Sequence, residues 1–176
     1  MRYLAGEALQ TLILLAMLVT LVNLSCGRFV VEGTSMAPNF ETGQFILVSR
    51  VHYLLEAPQR GDIIVFQYQG NPEDDYIKRV IGLPGETVEL RGQQVYIDGV
   101  RLNEPYLNEP CTPRACPDRI WELGADEFFV MGDNRNHSTD SRAFGPIQRR
   151  YIIGEAVLRY YPLEAVGSVA RIRVDE

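Results

Sequence analysis

The chain has 176 residues, 46% of them hydrophobic and 23% charged, with a formal net charge of −6. That length leaves room for one domain with a real core beyond a short terminal segment. The acidic balance and the lack of a basic stripe exclude a nucleic-acid-binding role, and 15 glycines with 10 prolines spread along the chain predict many turns and short strands.

From Ala8 to Cys26 run 19 residues without a formal charge. As a helix at about 1.5 Å per residue this stretch is about 29 Å long, close to the hydrocarbon thickness of a bilayer. Arg2 and the terminal amine before it and Arg28 after it give only a weak orientation signal. A buried helix of a soluble protein and a cleaved signal peptide are the alternatives. Leu24-Ser25-Cys26 resembles a lipoprotein cleavage site, but Asn23 stands where an aliphatic residue is wanted. The apolar run also exceeds the roughly 7–15 residues of a signal-peptide core. The expectation is a retained single-pass anchor at residues 1–27 and a separate folded domain at 28–176.

Gly33-Thr34-Ser35-Met36-Ala37-Pro38 follows closely, with Phe29, Val30 and Val31 before it and Phe40 after. Gly33 permits an unusual dihedral or a close backbone approach, and Pro38 stiffens the exit. Ser35 reads either as a turn serine or as a nucleophile at the lip of an apolar cleft.

Beyond it the pattern turns to strands. Phe45-Ile46-Leu47-Val48 follows the turn at Glu41-Thr42-Gly43, and Ile63-Ile64-Val65-Phe66 follows Arg60-Gly61-Asp62. Gly70 to Asp75 reads as a solvated acidic turn rather than a metal site, since no partnering ligands lie nearby. Tyr76-Ile77-Lys78-Arg79-Val80-Ile81 is the next strand, closed by Leu83-Pro84-Gly85. A meander follows through Val88, Leu90, Val95, Ile97, Val100 and Leu102, with turns at Arg91-Gly92 and Asp98-Gly99. Residues 103–117 form a proline-rich loop. Phe128-Phe129-Val130-Met131 is a buried strand leading into Gly132-Asp133-Asn134, and Tyr151 to Tyr161 is a strand bent at Gly154. The tail from Val169 to Val174 alternates like an edge strand. The fold class is mainly β, with antiparallel sheets behind one N-terminal helix.

Of 3 cysteines, Cys111 and Cys116 enclose a short loop that closes as a disulfide if the domain faces an oxidising compartment, and otherwise remains two thiols. Zinc is disfavoured, because neither His52 nor His137 stands at ligand spacing with them. A serine nucleophile needs a base. His137, in the loop Asn134 to Ser138 beside acidic residues, keeps a Ser/His/Asp arrangement open. Lys78 is the other candidate. In apolar surroundings its amine loses the stabilisation of its charge, and about two to three pKa units of depression make it a base near neutrality. Spacing alone also allows a solvated lysine on a polar strand face.

Four segments in order resemble the type I signal peptidases, the membrane-bound Ser/Lys proteases: Ser35-Met36-Ala37-Pro38, Arg60-Gly61-Asp62, Tyr76-Ile77-Lys78-Arg79-Val80, and Gly132-Asp133-Asn134-Arg135 continuing to Ser138-Thr139-Asp140-Ser141-Arg142. The resemblance covers about residues 8 to 160. It implies Ser35 as nucleophile and Lys78, neutral, as general base. It implies that Ser138 orients the lysine, that Asp140 and Arg142 brace the loop as a charge pair, that Arg79 is structural, and that Gly132, next to Asp133, allows a tight turn. Gly33 departs from those members that carry an oxyanion-assisting hydroxyl there. Shallow pockets lined by Val31, Met36, Phe40, Tyr76 and Ile77, with Asp75 at the border, would accept small residues before the cut, in Ala-X-Ala style sites. The implied partners are secretory preproteins and a lipid bilayer, with no metal or organic cofactor and no statement of oligomeric state. The implied location is the cytoplasmic membrane, with the domain on its outer side. A self-cleaving Ser/Lys repressor and a catalytically silent membrane-anchored binding module are the rival readings. The first would carry a DNA-binding region where this chain has an apolar helix.

Overall fold

The computed structural model describes residues 2–169, with side chains described at Glu7 and from Leu9 onward. Helix α1 runs Arg2–Ser25. Its large apolar side chains from Leu9 to Leu24 are all 48–68% exposed, so it presents no buried face to the domain. Among the described residues no helix is long and apolar enough to cross a membrane. The expected span at 8–26 is therefore not established. Its last residue, Cys26, is already in a strand.

That strand, β1 (Cys26–Val30), pairs antiparallel with β2 (Phe45–Ser49). A one-turn helix α2 (His52–Leu55) leads to β3 (Ile63–Gln67) and β4 (Asp75–Gly82). The meander is β5 (Thr87–Arg91), β6 (Gln94–Ile97) and β7 (Val100–Arg101), joined after the cysteine loop by β8 (Arg119–Glu122). Then come β9 (Glu127–Met131), a 3₁₀ turn at Arg135–His137, α3 (Ser141–Phe144), β10 (Ile147–Gln148), β11 (Ile152–Tyr161) and β12 (Gly167–Ser168). The expected tail strand lies, beyond Val169, outside the described residues.

Two antiparallel sheets result. The larger has the order β1-β2-β11-β3-β4-β9-β10, with β12 on β11, and the smaller the order β7-β6-β5-β8. Alternating apolar residues in the meander (Val88, Leu90, Val95, Ile97) put one face of the small sheet against Trp121, Tyr106, Phe129 and the cysteine pair. The large sheet packs Ile46, Val48, Ile63 and Val65 beneath the Ser35 loop, and Ile64, Phe66, Val80, Phe128 and Val130 on its opposite side. With both faces covered, the inner strand β4 is buried nearly without alternation from Lys78 to Gly82. The register of β11 against β3 shifts between Ile152 and Gly154, which supplies the bend expected at that glycine.

The pairing carries a level across the sheet. Cys26 partners Ser49, Ser49 partners Glu155, Glu155 partners Ile64 and Ile64 partners Lys78. Lys78 thus sits in the same row as the first residue after α1, four strand spacings away, or about 19 Å at 4.8 Å each.

Candidate active site

Lys78 points from β4 toward the loop that follows β1. Its Nζ donates to Ser35 Oγ at 2.7 Å and to the Ile77 carbonyl at 2.8 Å. Only 4% of the lysine is exposed. Burial lowers its pKa from 10.5 to about 8; the charges of Asp140 and Asp133 oppose that shift, and Arg142 adds to it. The solvated-lysine alternative is thereby removed, because β4 has covered surfaces on both sides.

Ser35 opens onto a cleft of about 330 Å³ lined by Val31, Asp75, Tyr76 and Ile77, and also by His137 and Thr139. Burial is the main cause raising the Asp75 carboxyl above its usual pKa; Arg50 pulls it down and Asp74 pushes it up. Two expected wall residues are placed elsewhere. Met36 and Phe40 are 1% and 3% exposed and belong to the core beneath the loop, so they support the cleft floor without lining it. Packing against Ile46, Val48 and Ile63 is what draws them inward. His137 reaches the cleft wall but makes no hydrogen bond to Ser35, whose partner is the lysine. His52 lies 3.5 Å from both Glu56 and Glu155, away from the cleft.

The loop after β9 locks the serine in place. Asn134 donates its backbone N–H to the Ser35 carbonyl at 3.0 Å and its side-chain amide to the Thr34 carbonyl at 3.1 Å. Gly132 has no side chain because none fits. A Cβ there would stand 2.3 Å from Ser138 Oγ and 2.4 Å from the Ser35 carbonyl oxygen. Close approach, rather than turn geometry, is the constraint. Gly33 is different: its φ is +83° with nothing near a would-be Cβ, so backbone conformation alone selects glycine. Its carbonyl accepts from Thr42 Oγ1 at 2.9 Å. Among the described residues nothing accepts from the Ser35 N–H, which leaves that donor free for an oxyanion.

Asp140 gathers the Gly132 N–H at 2.9 Å and the Arg142 guanidinium at 2.8 and 2.7 Å. Burial works against its charge, but the bonds and charge of Arg142 outweigh burial and hold the carboxyl below its usual pKa. Arg142 also donates to the carbonyls of Arg135 (2.8 Å) and Ala115 (2.9 Å). Ala115 lies inside the loop closed by the Cys111–Cys116 disulfide, S–S 2.08 Å. Among the described residues no hydrogen bond joins Ser138 to Lys78. The Ser138 Oγ is buried against Gly132, close enough to Asp140 to help hold that carboxyl below its usual pKa. The second bond of the lysine amine goes to the Ile77 carbonyl.

Arg79, next to Lys78 but facing the other way, is 1% exposed and makes a bidentate pair with Asp133 at 2.8 and 2.7 Å. Its guanidinium stacks 4.1 Å from the Tyr106 ring and donates to the Gly61 carbonyl at 2.9 Å. Asn39 adds a bond to Asp133 at 2.8 Å. Asn39, Tyr106, and Glu104 with its ion pair to Arg135 are absent from any sequence-based expectation. They lie in loops, with no periodicity to mark them. Among the described residues no group of side chains is arranged to hold a metal ion.

The sequence pattern of the family described as Signal peptidase, peptidase S26, matches residues 4–161. The chain belongs to this signal peptidase family. It is 42% identical over 149 residues to "Signal peptidase I" of Leptolyngbya laminosa, covering 79% of this chain and 70% of the relative. It is 36% identical over 149 residues to "Signal peptidase I" of Bacillus caldolyticus, covering 78% of this chain and 80% of the relative. A crystal structure of a signal peptidase I from Enterococcus faecalis V583 superposes with a TM-score of 0.50 at 38% identity, over 57% of this chain and 97% of that one. This signal peptidase family member is therefore a serine endopeptidase, and the paired sheets are its signal-peptidase-like fold.

Proposed function

We propose that this peptidase removes signal peptides from secreted preproteins at a bilayer surface, with Ser35 as nucleophile and neutral Lys78 as general base. The observation that carries the reading is a serine hydroxyl 2.7 Å from a lysine amine that is 4% exposed, at the head of an apolar-walled cleft. As Ser35 Oγ attacks the scissile carbonyl carbon, its proton passes to Lys78 Nζ. The tetrahedral oxyanion lies against the Ser35 N–H. Collapse breaks the peptide C–N bond, and the leaving amine takes the proton from the lysine, leaving the signal peptide as an acyl ester on Ser35. Water then attacks that ester, giving its proton to Lys78, and the ester oxygen recovers it as the serine is released. Asp140, Arg142 and Asn134 act through position: they hold the loop carrying Gly132 against the serine.

Val31, Tyr76 and Ile77 narrow the cleft, which favours small side chains before the cut, and an extended substrate along the cleft gains affinity from backbone hydrogen bonds. The large apolar side chains of α1 from Leu9 to Leu24 stand clear of the domain, an arrangement that suits hydrocarbon better than water. In this reading residues 1–27 anchor the chain, 28–176 form the catalytic domain outside the cytoplasm, and the shared row from Cys26 to Lys78 sets the dyad level with the bilayer surface.

The test is incubation of the detergent-solubilised chain with a preprotein bearing an Ala-X-Ala site, beside Ser35→Ala and Lys78→Ala. Both variants should lose cutting by about 10³-fold or more, since the nucleophile and its base act as a unit. Undiminished cleavage by the Lys78 variant would remove the proposed base.

A further inference from the structure

Among the described residues Leu54 and Leu55, 80% and 89% exposed, are the most exposed large apolar residues, and they stand side by side at the end of α2. A scattered exposed leucine is ordinary, but an adjacent pair held out on a one-turn helix is not. Three observations bear on what covers them. First, α2 is fixed beside the end of α1: the Arg50 N–H donates to the Ser25 carbonyl at 2.9 Å, and Ser49 partners Cys26. Second, the turn is held out rigidly: Arg149 donates to the Tyr53 carbonyl at 2.7 Å, and Tyr53 itself bonds Asp62 at 2.9 Å. Third, Leu54 is flanked by positive charge in a chain whose net charge is −6: Arg50, Tyr53, Leu54 and Arg149 share one shallow depression. The acidic neighbour, Glu56, lies 3.5 Å from His52.

We infer that Leu54 and Leu55 insert into the headgroup and acyl boundary of an anionic bilayer, making a second contact beside α1 that fixes the tilt of the catalytic domain. The inference rests on the reading of α1 as an anchor. Apolar side chains with flanking arginines suit that boundary, because the leucines leave water while the guanidinium groups stay at the lipid phosphates. A single helix leaves the domain free to lean. A second point of contact removes that freedom and keeps the row containing Lys78 parallel to the surface.

The experiment uses the full chain with Cys26→Ser, reconstituted in vesicles of phosphatidylethanolamine and phosphatidylglycerol. An environment-sensitive fluorophore is attached through Leu55→Cys, Met17→Cys or Ile120→Cys, and nitroxide-bearing lipids serve as quenchers. The proposal expects blue-shifted, lipid-quenched emission at position 55 and none at position 120, which is 59% exposed but lies on the small sheet. Quenching at 17 without quenching at 55 would overturn the proposal while leaving the anchor intact. Quenching at 55 without quenching at 17 would sustain the docking surface and remove the span. Equal quenching at 55 and 120 would overturn it as non-specific adsorption. Emission at 55 that is shielded from water but unquenched by lipid, with cross-linking of two chains through that position, would assign the pair to a second copy instead.

Discussion

The pH dependence of cleavage is where the buried lysine is most exposed to test. With the pKa of Lys78 lowered to about 8, the base form makes up about 9% of the enzyme at pH 7, about half at pH 8 and about 91% at pH 9. A lysine at its ordinary value of 10.5 would be about 0.03% neutral at pH 7, so burial raises the supply of base by about 300-fold. Between pH 6 and pH 8, kcat/KM on a signal-peptide substrate should rise about 50-fold with a slope near one, then level off by about pH 9.5. The assay is initial-rate cleavage of a preprotein or an internally quenched peptide in detergent across pH 6 to 10.5. Lys78→Ala serves as the blank, and a far-ultraviolet circular dichroism check at each pH guards against unfolding. A profile flat from pH 6 to 8.5, or one still climbing at pH 10, would refute the reasoning. The first result would mean that Lys78 does not titrate in the rate, and the second that burial does not shift it.

The other predictions concern stability and the packing of the site. Lys78 holds its proton less firmly folded than unfolded, so the penalty for keeping it charged is present in full below about pH 8 and fades as pH rises toward 10.5. Lys78→Met should therefore be inactive yet up to about 3 kcal/mol more stable at pH 7, with the gain shrinking at pH 10, as read by denaturant titration at the two pH values. Gly132→Ala forces a methyl against Ser138 Oγ and the Ser35 carbonyl, and kcat should fall by about 10²-fold with little change in KM. Gly33→Ala meets open space but keeps φ at +83°, so it should cost about 1–2 kcal/mol, measured as a fall in Tm. Arg79→Ala strands the buried Asp133 carboxylate and should cost about 3–5 kcal/mol, whereas Arg91→Ala, whose pairing with Glu89 is exposed, should change stability by less than about 1 kcal/mol in the same titration.

The strands were legible where composition and period agreed. The runs at 45–48, 63–66, 76–81 and 128–131 and the alternating meander all appear as strands, because branched and aromatic residues bounded by glycine and proline have few other ways to fold. Strand β1 was not legible: Cys26-Gly27-Arg28 has no strand pattern, and its pairing comes from the partner that β2 offers. Strand β8 hides behind the cysteine loop for the same reason, and the four residues of α2 are too few to show a period. Single-residue chemistry was legible only in part. Spacing could not say whether Lys78 faced solvent, because β4 is buried on both faces and so loses the alternation that would have told. Nor could spacing turn Met36 inward or part Ser138 from the lysine. Both outcomes depend on close packing around Gly132 and the floor of the cleft, where contacts join residues about a hundred positions apart.

The placement of the two basic residues on β4 explains why this strand can hold a base at all. Lys78 and Arg79 are adjacent, both nearly fully buried, and face opposite sides of the large sheet. The arginine receives a bidentate carboxylate, an aromatic face and a backbone carbonyl, so its charge is stabilised where it sits. The lysine receives a hydroxyl and one carbonyl, neither of them charged, while the acid near it, Asp140, is already held by Arg142. Had Asp140 been free to pair with the amine, the amine would have kept its proton, as a carboxylate close to an ammonium raises its pKa. In the proposed mechanism Arg142 then has two parts for one guanidinium: it closes the loop that positions Ser35, and it occupies the anion that would otherwise disable the base. Arg142→Ala should then move the ascending limb of the pH profile toward higher pH as well as lower kcat. A loss of kcat with the limb unmoved would leave the residue with its bracing role alone.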